Sequence, residues 1–362
     1  MTSPQRLLIV LHGADFGGVE RQAELVARAA KQAGHHVSLV VIGGEGPALA
    51  RLRPHCDSLQ VLGVDISNDL HVWSSLRRAA RAGHDAAFVF NLAKFPVLSH
   101  ALRRSTLRQV VHVGNPVGST PAERWKQQGR SWLFPPSPRL RLAANSRHTL
   151  RSLQSHPFYG RFPARVSLNC VAVPDRAVAL RERCEPIRLG MVARLDAIKD
   201  QATLIRAAGL LARRGLAVRC ELVGRGPTEP ALMRLAQEEG LLASGQVVFA
   251  GWLADVGQAL DRWDLFVFST TAREGFGNAA AEAMGHGLPC LFSDVGPCRE
   301  VGDDAVAYVP PGDPGALADS IAALAADVAR RRALGDAARA RALATFDPRR
   351  KLRDLLSFAF EP

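Results

Sequence analysis

The sequence predicts an α/β protein built from two Rossmann-like domains, and three observations support this class. Short apolar runs alternate with amphipathic segments along most of the chain, which is the pattern of consecutive βα units. Glycine-rich turns follow several of the apolar runs, as they do where a strand leads into the N-terminus of a helix. A segment rich in proline and charge, 171–186, interrupts the alternation and is predicted to connect the domains.

The length and composition agree with this prediction. The chain has 362 residues, enough for two domains of ordinary size, and 47% of them are hydrophobic. No apolar run approaches the ~20 residues of a membrane span, and the N-terminus lacks the layout of a signal peptide. The six cysteines form no C-x-x-C pair, which favours reduced, mostly buried thiols in a cytoplasmic protein over a zinc site or a disulfide framework.

The basic residues are unevenly distributed. Residues 1–185 contain 25 Lys and Arg against 12 Asp and Glu, whereas residues 186–362 contain 21 against 22. The N-terminal half is therefore expected to meet an anionic partner: a membrane surface, a lipid-linked acceptor or nucleic acid. The alternative is that the composition is simply arginine-rich and has no anionic partner. An even distribution of charge along the chain would have favoured that alternative.

The predicted first domain, residues 1–172, opens with a βαβ unit. A strand at Leu7–Leu11 is followed by Gly17 and Gly18, a helix to about Ala33 and a strand at His36–Ile42. The glycine pair is too short for the dinucleotide fingerprint, so NAD is not predicted. The pair indicates either a close approach of the backbone to a ligand or a simple turn.

Further strands are predicted in this domain, and one ends beside a candidate site residue. His112 lies near the carboxyl end of its strand, where α/β sheets place their ligands, although a structural strand-end histidine fits equally. These strands are Ser58–Leu62, Ala86–Asn91, Gln109–Val113, Leu140–Ser146 and 166–169.

Segment 124–141 alternates basic residues with Trp, Leu and Phe. Its prolines are predicted to prevent a long helix. This composition suits the headgroup layer of a membrane, with aromatic side chains inserted and basic groups on lipid phosphates. The alternative is a loop whose tryptophans fold back onto the core. Nucleic acid is not expected, because no recognised binding module surrounds the segment.

The predicted second domain, residues 187–346, contains the stretch most suggestive of chemistry. An apolar strand at 264–269 leads through a turn with Gly275 and Gly277 into a helix that begins near Asn278. Free backbone N–H groups at such a helix N-terminus suit a phosphate. Glu274 and Glu282 could accept hydrogen bonds from hydroxyls, so the combination indicates a sugar nucleotide. Solvated glutamates beside an ordinary turn are the alternative.

The motifs of the second half resemble those of the retaining glycosyltransferases of family 4, which have the GT-B fold. The stretch from Met191 to Gln201 resembles the family's G-R-L-x-x-x-K-G region, and Glu274 and Glu282 match its E-x7-E motif. The turn at Gly224 and the segments 248–251 and 309–318 match further landmarks. Two positions depart from the pattern: residues 169–172 replace the usual N-G-V-D, and Asp200 replaces a glycine.

The resemblance implies two Rossmann-like domains that face each other across a cleft and close on the donor, with residues 347–362 returning as a helix to the first domain. It implies a metal-independent hexosyltransferase without a cofactor, whose donor carries UDP or GDP. The implied acceptor is a glycan or a lipid-linked molecule of cell-envelope polysaccharide, lipopolysaccharide or glycolipid synthesis. The enzyme is expected at the cytoplasmic face of the inner membrane, in peripheral contact with anionic lipid.

The resemblance also implies roles for individual residues. Arg194 and Lys199 would stabilise the diphosphate leaving group, Glu282 would bind the ribose and Glu274 the sugar hydroxyls. His112 would touch the transferred sugar. Implied donor contacts are Gly224, Gly275, Phe276, Gly277 and Asn278, and the implied acceptor-side loop is Gly17 and Gly18.

Three other functions are weighed against this one. An epimerase or a phosphorylase could use the same architecture, but such phosphorylases carry a pyridoxal lysine, and only five lysines occur here. A catalytically silent nucleotide-binding or membrane-binding module would not need Arg194, Lys199, Glu274 and Glu282 together. A glycosidase could use two carboxylates but has no need of a phosphate turn.

Overall fold

The computed structural model divides the chain into two compact units, and each contains one parallel sheet. The first unit is Met1–Cys170 with Pro348–Pro362, and the second is Val171–Asp347. The structure describes residues 3–361 except 16, 82, 91, 93, 104–106, 118–120, 184 and 254, and within helix 121–133 it leaves five side chains undescribed. The predictions for the Cys184 thiol and for the side chains of Arg124 and Lys126 lie outside the described residues.

In the described part, the first unit has a seven-stranded parallel sheet. Its strands are β1 (Arg6–Leu11), β2 (His36–Val41), β3 (Ser58–Val61), β4 (Ala86–Phe90), β5 (Arg108–Val113), β6 (Leu140–Ala144) and β7 (Ala164–Val166). They lie in the order β3-β2-β1-β4-β5-β6-β7. Residues 7–11 of β1 are buried, as expected for a central parallel strand covered on both faces.

The helices of the first unit cover the two faces of this sheet. They are α1 (Gly18–Gln32), α2 (Leu49–Leu52), α3 (Asp69–Ala79), α4 (Phe95–Ala101), α5 (Pro121–Leu133), α6 (Arg147–Gln154) and the C-terminal α14 (Pro348–Phe360). Helix α14 packs on α1 and β5 and buries Leu352, Leu355 and Phe358. The last helix therefore completes the core of the first unit.

The second unit has a six-stranded parallel sheet in its described part. Its strands are β8 (Ile187–Val192), β9 (Val218–Val223), β10 (Val247–Gly251), β11 (Leu265–Phe268), β12 (Cys290–Ser293) and β13 (Ala307–Val309), in the order β10-β9-β8-β11-β12-β13. Its helices are α7 (Gln201–Arg213), α8 (Glu229–Glu238), α9 (Gly257–Leu260), α10 (Asn278–Gly285), α11 (Gly296–Gly302), α12 (Pro314–Ala326) and α13 (Val328–Thr345). Both units thus place their first strand beside their fourth.

The structure corrects one prediction about local structure in the first unit. Residues 121–133 form the helix α5, so the expectation that prolines prevent a long helix here is wrong. Pro121 occupies the first helical position, where no backbone N–H is needed, and Pro135 and Pro136 follow after the helix has ended. The prolines bracket the helix instead of breaking it.

The described cysteines are free thiols, and four of the five are buried. Burial raises the pKa of the half-buried Cys56 thiol to about 11, so it is a poor nucleophile at neutral pH. Among the described residues, no helix is both long enough and apolar enough to cross a membrane.

Candidate active site

The candidate site of the second unit lies where the strand order of its sheet reverses. Strand β8 pairs with β9 on one side and with β11 on the other, so the chain leaves these two central strands in opposite directions. Loops that follow the carboxyl ends of such strands line the crevice in which doubly wound sheets bind ligands. Residues 193–200 follow β8 and residues 269–277 follow β11, which brings them to the same edge.

An ion pair joins these two loops. The Lys199 ammonium group donates a hydrogen bond to Glu274 Oε2, although the residues are far apart in the chain. The Lys199 side chain is 19% exposed and that of Glu274 8%. Lys199 Nζ also lies 5.4 Å from the centroid of the Phe268 ring, a cation–π contact. The pair is thus largely buried but retains an opening to solvent on the lysine side.

Other groups hold the Glu274 carboxylate in place. Its Oε1 accepts a hydrogen bond of 3.0 Å from the Gly275 N–H, and its Oε2 lies 3.3 Å from Thr270 Oγ1. The Ile198 carbonyl accepts hydrogen bonds from Thr270 Oγ1 and from the backbone N–H of Thr271, both 2.9 Å long. The two loops are therefore fixed to each other by main-chain and side-chain contacts, which favours a preorganised site.

Arg194 occupies the same loop but extends into solvent. Its side chain is 71% exposed, and it forms a long ion pair of 3.8 Å with Asp196. The Arg194 carbonyl accepts a hydrogen bond of 3.0 Å from Gln201 Nε2 at the start of α7. The backbone is therefore anchored while the guanidinium group is available to an anionic ligand.

Gly224 allows a close approach between two loops at this edge. Its φ is +139°, and a Cβ atom built on it would lie 2.0 Å from the Ala193 carbonyl oxygen. Gly226 is in a similar position, because its Cβ would lie 2.1 Å from the Leu195 carbonyl oxygen. These glycines let the turn after β9 pack directly on the backbone of the loop that carries Arg194.

The turn that the sequence predicts to bind a phosphate lies at the N-terminus of α10. Gly277 precedes the helix with φ +86°, and a Cβ there would lie 2.9 Å from the Phe268 ring. Asn278 is the first helical residue and Glu282 lies in the second turn, both partly exposed. Phe276 is different, because its ring is buried and its centroid lies 5.6 Å from that of Phe346. Only the backbone of Phe276 is therefore placed to meet a ligand.

Asp200 adopts a backbone conformation that normally favours glycine. It precedes α7 with φ +44° and ψ +43°, and its Oδ2 accepts a hydrogen bond of 2.8 Å from Thr203 Oγ1. Aspartate tolerates the left-handed region better than most residues. The departure from the family's glycine therefore preserves the loop shape that holds Lys199, at a cost in backbone strain.

The glycine pair of the first unit lies at the N-terminus of α1, next to the β1–β4 reversal of its sheet. Gly17 precedes the helix in an extended conformation, and Gly18 is its first residue. A Cβ at Gly17 would meet only the end of the flexible Glu20 side chain, at 2.5 Å. Burial raises the pKa of the Glu20 carboxyl, and a hydrogen bond from its own backbone N–H opposes this effect.

His112 lies at the carboxyl end of β5 in a polar cluster of the first unit. It is 3% exposed, and its Nε2 lies 2.9 Å from Asn169 Oδ1. Burial lowers the pKa of His112 well below its usual value, and the nearby Lys351 charge acts in the same direction. A neutral His112 can therefore donate its Nε2 proton to Asn169, which fixes the tautomer.

Lys351 enters this cluster from α14. Its amine is buried and donates a hydrogen bond to the Ser167 carbonyl. Burial lowers the pKa of Lys351 to about 7, while Cys170 and Asp354 act weakly in the opposite direction. The sequence gives no signal for this burial, because Lys351 follows two arginines in a polar stretch.

The structure brings together only some of the predicted site residues. Lys199 and Glu274 are in contact, Arg194 shares the loop of Lys199, and Gly277 and Asn278 share the turn after Glu274. Thr270, Asn169 and Lys351 were not predicted; Thr270 lies two residues after the end of β11, which is a signal that could have found it. Among the described residues, no group of His, Cys, Asp or Glu is arranged to hold a metal ion.

Comparison with known proteins finds a family match in the second unit. Residues 186–327 match the family model described as Glycosyl transferases group 1. The "Putative glycosyltransferase EpsF" of Bacillus subtilis is 30% identical over 126 residues, which are 35% of this chain and 32% of EpsF. The "Putative glycosyltransferase EpsD" of the same organism is 33% identical over 109 residues, 30% of this chain and 28% of EpsD. The chain thus matches about a third of the length of these relatives.

Solved structures match over nearly the full chain. HepE from Anabaena, in complex with UDP and glucose, has a TM-score of 0.79 at 19% identity, with 98% of each chain covered. TarM has a TM-score of 0.78 at 11% identity, covering 100% of this chain and 99% of its own. Identities this low establish the fold alone. The fold is that of the GT-B glycosyltransferases, with two parallel-sheet α/β units.

Proposed function

We propose that this protein is a retaining, metal-independent glycosyltransferase that moves a sugar from a nucleoside-diphosphate sugar to a glycan or lipid-linked acceptor. The observation that carries the proposal is the Lys199–Glu274 ion pair at the strand-order reversal of the second unit. The exposed Arg194 lies in the loop of Lys199, and the α10 N-terminus lies in the loop of Glu274. Cations, helix N–H groups and a fixed carboxylate are what a sugar diphosphate requires.

The proposed chemistry is departure of the diphosphate assisted by fixed positive charge. As the glycosidic bond breaks, negative charge develops on the leaving oxygen, and Arg194 and Lys199 would stabilise it together with the N–H groups near Gly277. These two cations would serve in place of a divalent metal. The acceptor would attack from the face that the diphosphate leaves, so that the anomeric configuration is retained.

The surroundings of Glu274 support a binding role for its carboxylate and disfavour a nucleophilic one. It accepts hydrogen bonds from Lys199 and from the Gly275 N–H, and both bonds stabilise the anion and reduce its nucleophilicity. A carboxylate held in this way can still accept a hydrogen bond from a sugar hydroxyl. Glu282, one turn into α10, would bind the ribose hydroxyls. His112 and the Gly17–Gly18 turn are proposed for the transferred sugar and the acceptor.

The proposed donor is a UDP-sugar, with a GDP-sugar as the second choice. Support comes from similar structures, since HepE was solved with UDP and glucose and with UDP-glucose, and TarM with UDP. The proposed setting is cell-envelope polysaccharide, lipopolysaccharide or glycolipid synthesis in the cytoplasm at the inner membrane. Among similar structures, WaaB is described as a lipopolysaccharide outer core galactosyltransferase, with a TM-score of 0.64.

A donor panel tests the proposal. The purified protein is incubated with UDP-, GDP- and ADP-sugars and a membrane extract as the acceptor source, and mass spectrometry detects the released nucleoside diphosphate and the hexose added. We expect release from one donor class, with retained anomeric configuration in the product and no loss of rate in EDTA. No turnover of any donor, or an inverted product, would contradict the proposal.

A further inference from the structure

Helix α5 contacts α4, and polar contacts near its C-terminal end join it to α3. Arg130 Nε donates a hydrogen bond of 2.9 Å to Asp69 Oδ2 at the start of α3. Just beyond the helix, the Pro135 carbonyl lies 2.9 Å from His100 Nδ1, and the His100 ring stacks on Trp73, one turn into α3. The C-terminal end of α5 is therefore held in a defined position on its unit.

The exposed side of α5 carries large apolar side chains. Trp125 is 77% exposed, Trp132 83% and Leu133 64%. Their spacing of i, i+7 and i+8 places them within one side of a helix, which we call the aromatic face. Leu70, next to Asp69 in α3, adds another apolar side chain that is 68% exposed. Tryptophan normally buries most of its large surface, so this exposure indicates a binding surface.

The sequence segment that contains α5 is almost free of negative charge, although Asp69 of α3 pairs with Arg130. Residues 86–174 hold 13 Lys and Arg and one acidic residue, Glu123, so this segment accounts for the net charge of +12 of the whole chain. Arg103, just after α4, and Arg139, just before β6, are exposed, and within the described residues neither guanidinium group forms an ion pair. The surface is therefore complementary to an extended anionic partner.

From the aromatic face of α5 and the charge of the segment that contains it, we infer that α5 docks on an anionic lipid bilayer, with Trp125, Trp132 and Leu133 inserted among the headgroups. A helix with exposed tryptophans on one side, in a strongly basic segment, suits a soft, anionic surface. A second copy of the chain fits poorly, because pairing this face would bring two strongly basic segments together. The inference deepens the proposed function, since an enzyme held at the bilayer would meet a lipid-linked acceptor.

Vesicle sedimentation tests the inference without any turnover. The wild-type protein, the variant Trp125→Gln/Trp132→Gln and the matched control Trp252→Gln, which alters an exposed tryptophan of the second unit, are spun with phosphatidylcholine vesicles with and without phosphatidylglycerol. We expect binding to anionic vesicles only, weakened by salt, and a drop of at least tenfold in the partition coefficient for the double variant alone. Arg103→Gln/Arg139→Gln should reduce binding and its salt dependence.

Three results would overturn the inference. They are no binding of the wild type to anionic vesicles at low salt, equal binding by the double variant, or a dimer that the double variant breaks apart. Circular dichroism should show unchanged folding, because the substituted side chains are exposed. Release of nucleoside diphosphate from the donor without vesicles is measured in parallel. If the wild type releases no nucleoside diphosphate from the donor, the proposed function is refuted. If it releases nucleoside diphosphate but does not bind vesicles, only the docking of α5 is refuted.

Discussion

The two units share a strand order but differ in the balance and the placement of their basic residues. The first unit holds 26 Lys and Arg against 11 Asp and Glu, and the second holds 20 against 23. In the first unit, arginines such as Arg78, Arg103 and Arg139 are exposed to solvent. In the second unit, several arginines are built into the fold. An arginine-rich sequence therefore says little about function until the positions of the guanidinium groups are known.

Helix α13 shows how the second unit uses its arginines. Arg331, Arg339 and Arg341 each donate hydrogen bonds to carbonyls in the last turn of another helix: α12, α10 and α11 respectively. These carbonyls have no partner within their own helices, and a positive charge at a helix C-terminus is favourable. One helix thus caps three others, including α10, whose N-terminus forms the candidate site.

The largest expected effect on stability comes from removing one of these caps. Arg331 is fully buried, so Arg331→Met should lower the free energy of unfolding by about 3 kcal/mol, because several buried carbonyls lose their donor. The neighbouring Arg332 and the first unit's Arg78 are exposed, so Arg332→Met and Arg78→Met should change stability by less than about 0.5 kcal/mol. Urea unfolding measures the free energy of unfolding of all three variants. Similar losses in all three would contradict the contrast between buried and exposed arginines.

Lys351 is the exception in the first unit, because its amine is buried. Its pKa of about 7 lies below the ordinary value of 10.5, so between these values the unfolded chain binds more protons and stability rises with pH. From about pH 7 to about pH 9, the rise attributable to this group is about 2 to 3 kcal/mol. The pH dependence of unfolding is compared in the wild type and Lys351→Met. An unchanged difference between them across this range would show that the amine is not buried in solution.

The glycines beside the two strand-order reversals should also respond differently. Gly224→Ala should cost about 2 kcal/mol or more, because the new Cβ would lie 2.0 Å from the Ala193 carbonyl at a φ of +139°. Gly17→Ala meets only the flexible end of Glu20 and should leave stability within about 0.5 kcal/mol. Thermal unfolding measures both. A large loss for Gly17→Ala would mean that its turn is as tightly packed as that of Gly224.

The smallest effect concerns one residue of each unit that precedes a helix in the left-handed conformation. Asp200 and Lys94 both precede a helix with positive φ, at +44° and +58°. Replacement by glycine relieves strain but removes the Asp200 contact with Thr203 and the Lys94 ion pair with Asp69. We expect Asp200→Gly to change stability by no more than about 1 kcal/mol, with stabilisation favoured, and Lys94→Gly to be destabilising. Calorimetry that gave the reverse order would contradict this interpretation.

Much of the fold was predictable because the buried parallel strands have an unambiguous pattern. Strand β1 and strand β11 are continuous apolar runs, and both were identified from the sequence. Helix α5 was missed because its prolines were expected to break a helix, whereas they lie at or beyond its ends. Helix α4 was not predicted, and Pro96 lies within its first turn, where proline is tolerated.

The residues of the candidate site remain a prediction from the sequence, and their contacts could not be predicted at all. A motif can point to Lys199 and Glu274 separately, but their ion pair depends on β8 and β11 being neighbours, which follows only from the strand order. The burial of Lys351 could not be predicted, since it depends on how α14 packs against β5. The buried ring of Phe276 looks the same in sequence as a ligand-stacking aromatic, because both follow a glycine in a turn.

The most direct test of the central claim is the rate of sugar transfer by variants of the Lys199–Glu274 pair. We expect Lys199→Met to lower kcat/KM by at least about a hundredfold, because it removes a cation that stabilises developing charge. Glu274→Gln should cause a similar loss, because it removes the carboxylate that holds Lys199 and is proposed to bind the sugar hydroxyls. The double variant, which leaves no buried unpaired charge, should fold like the wild type and remain inactive. The control Arg206→Ala, on the exposed side of α7, should keep full activity. Near-normal transfer by the folded double variant would contradict the account.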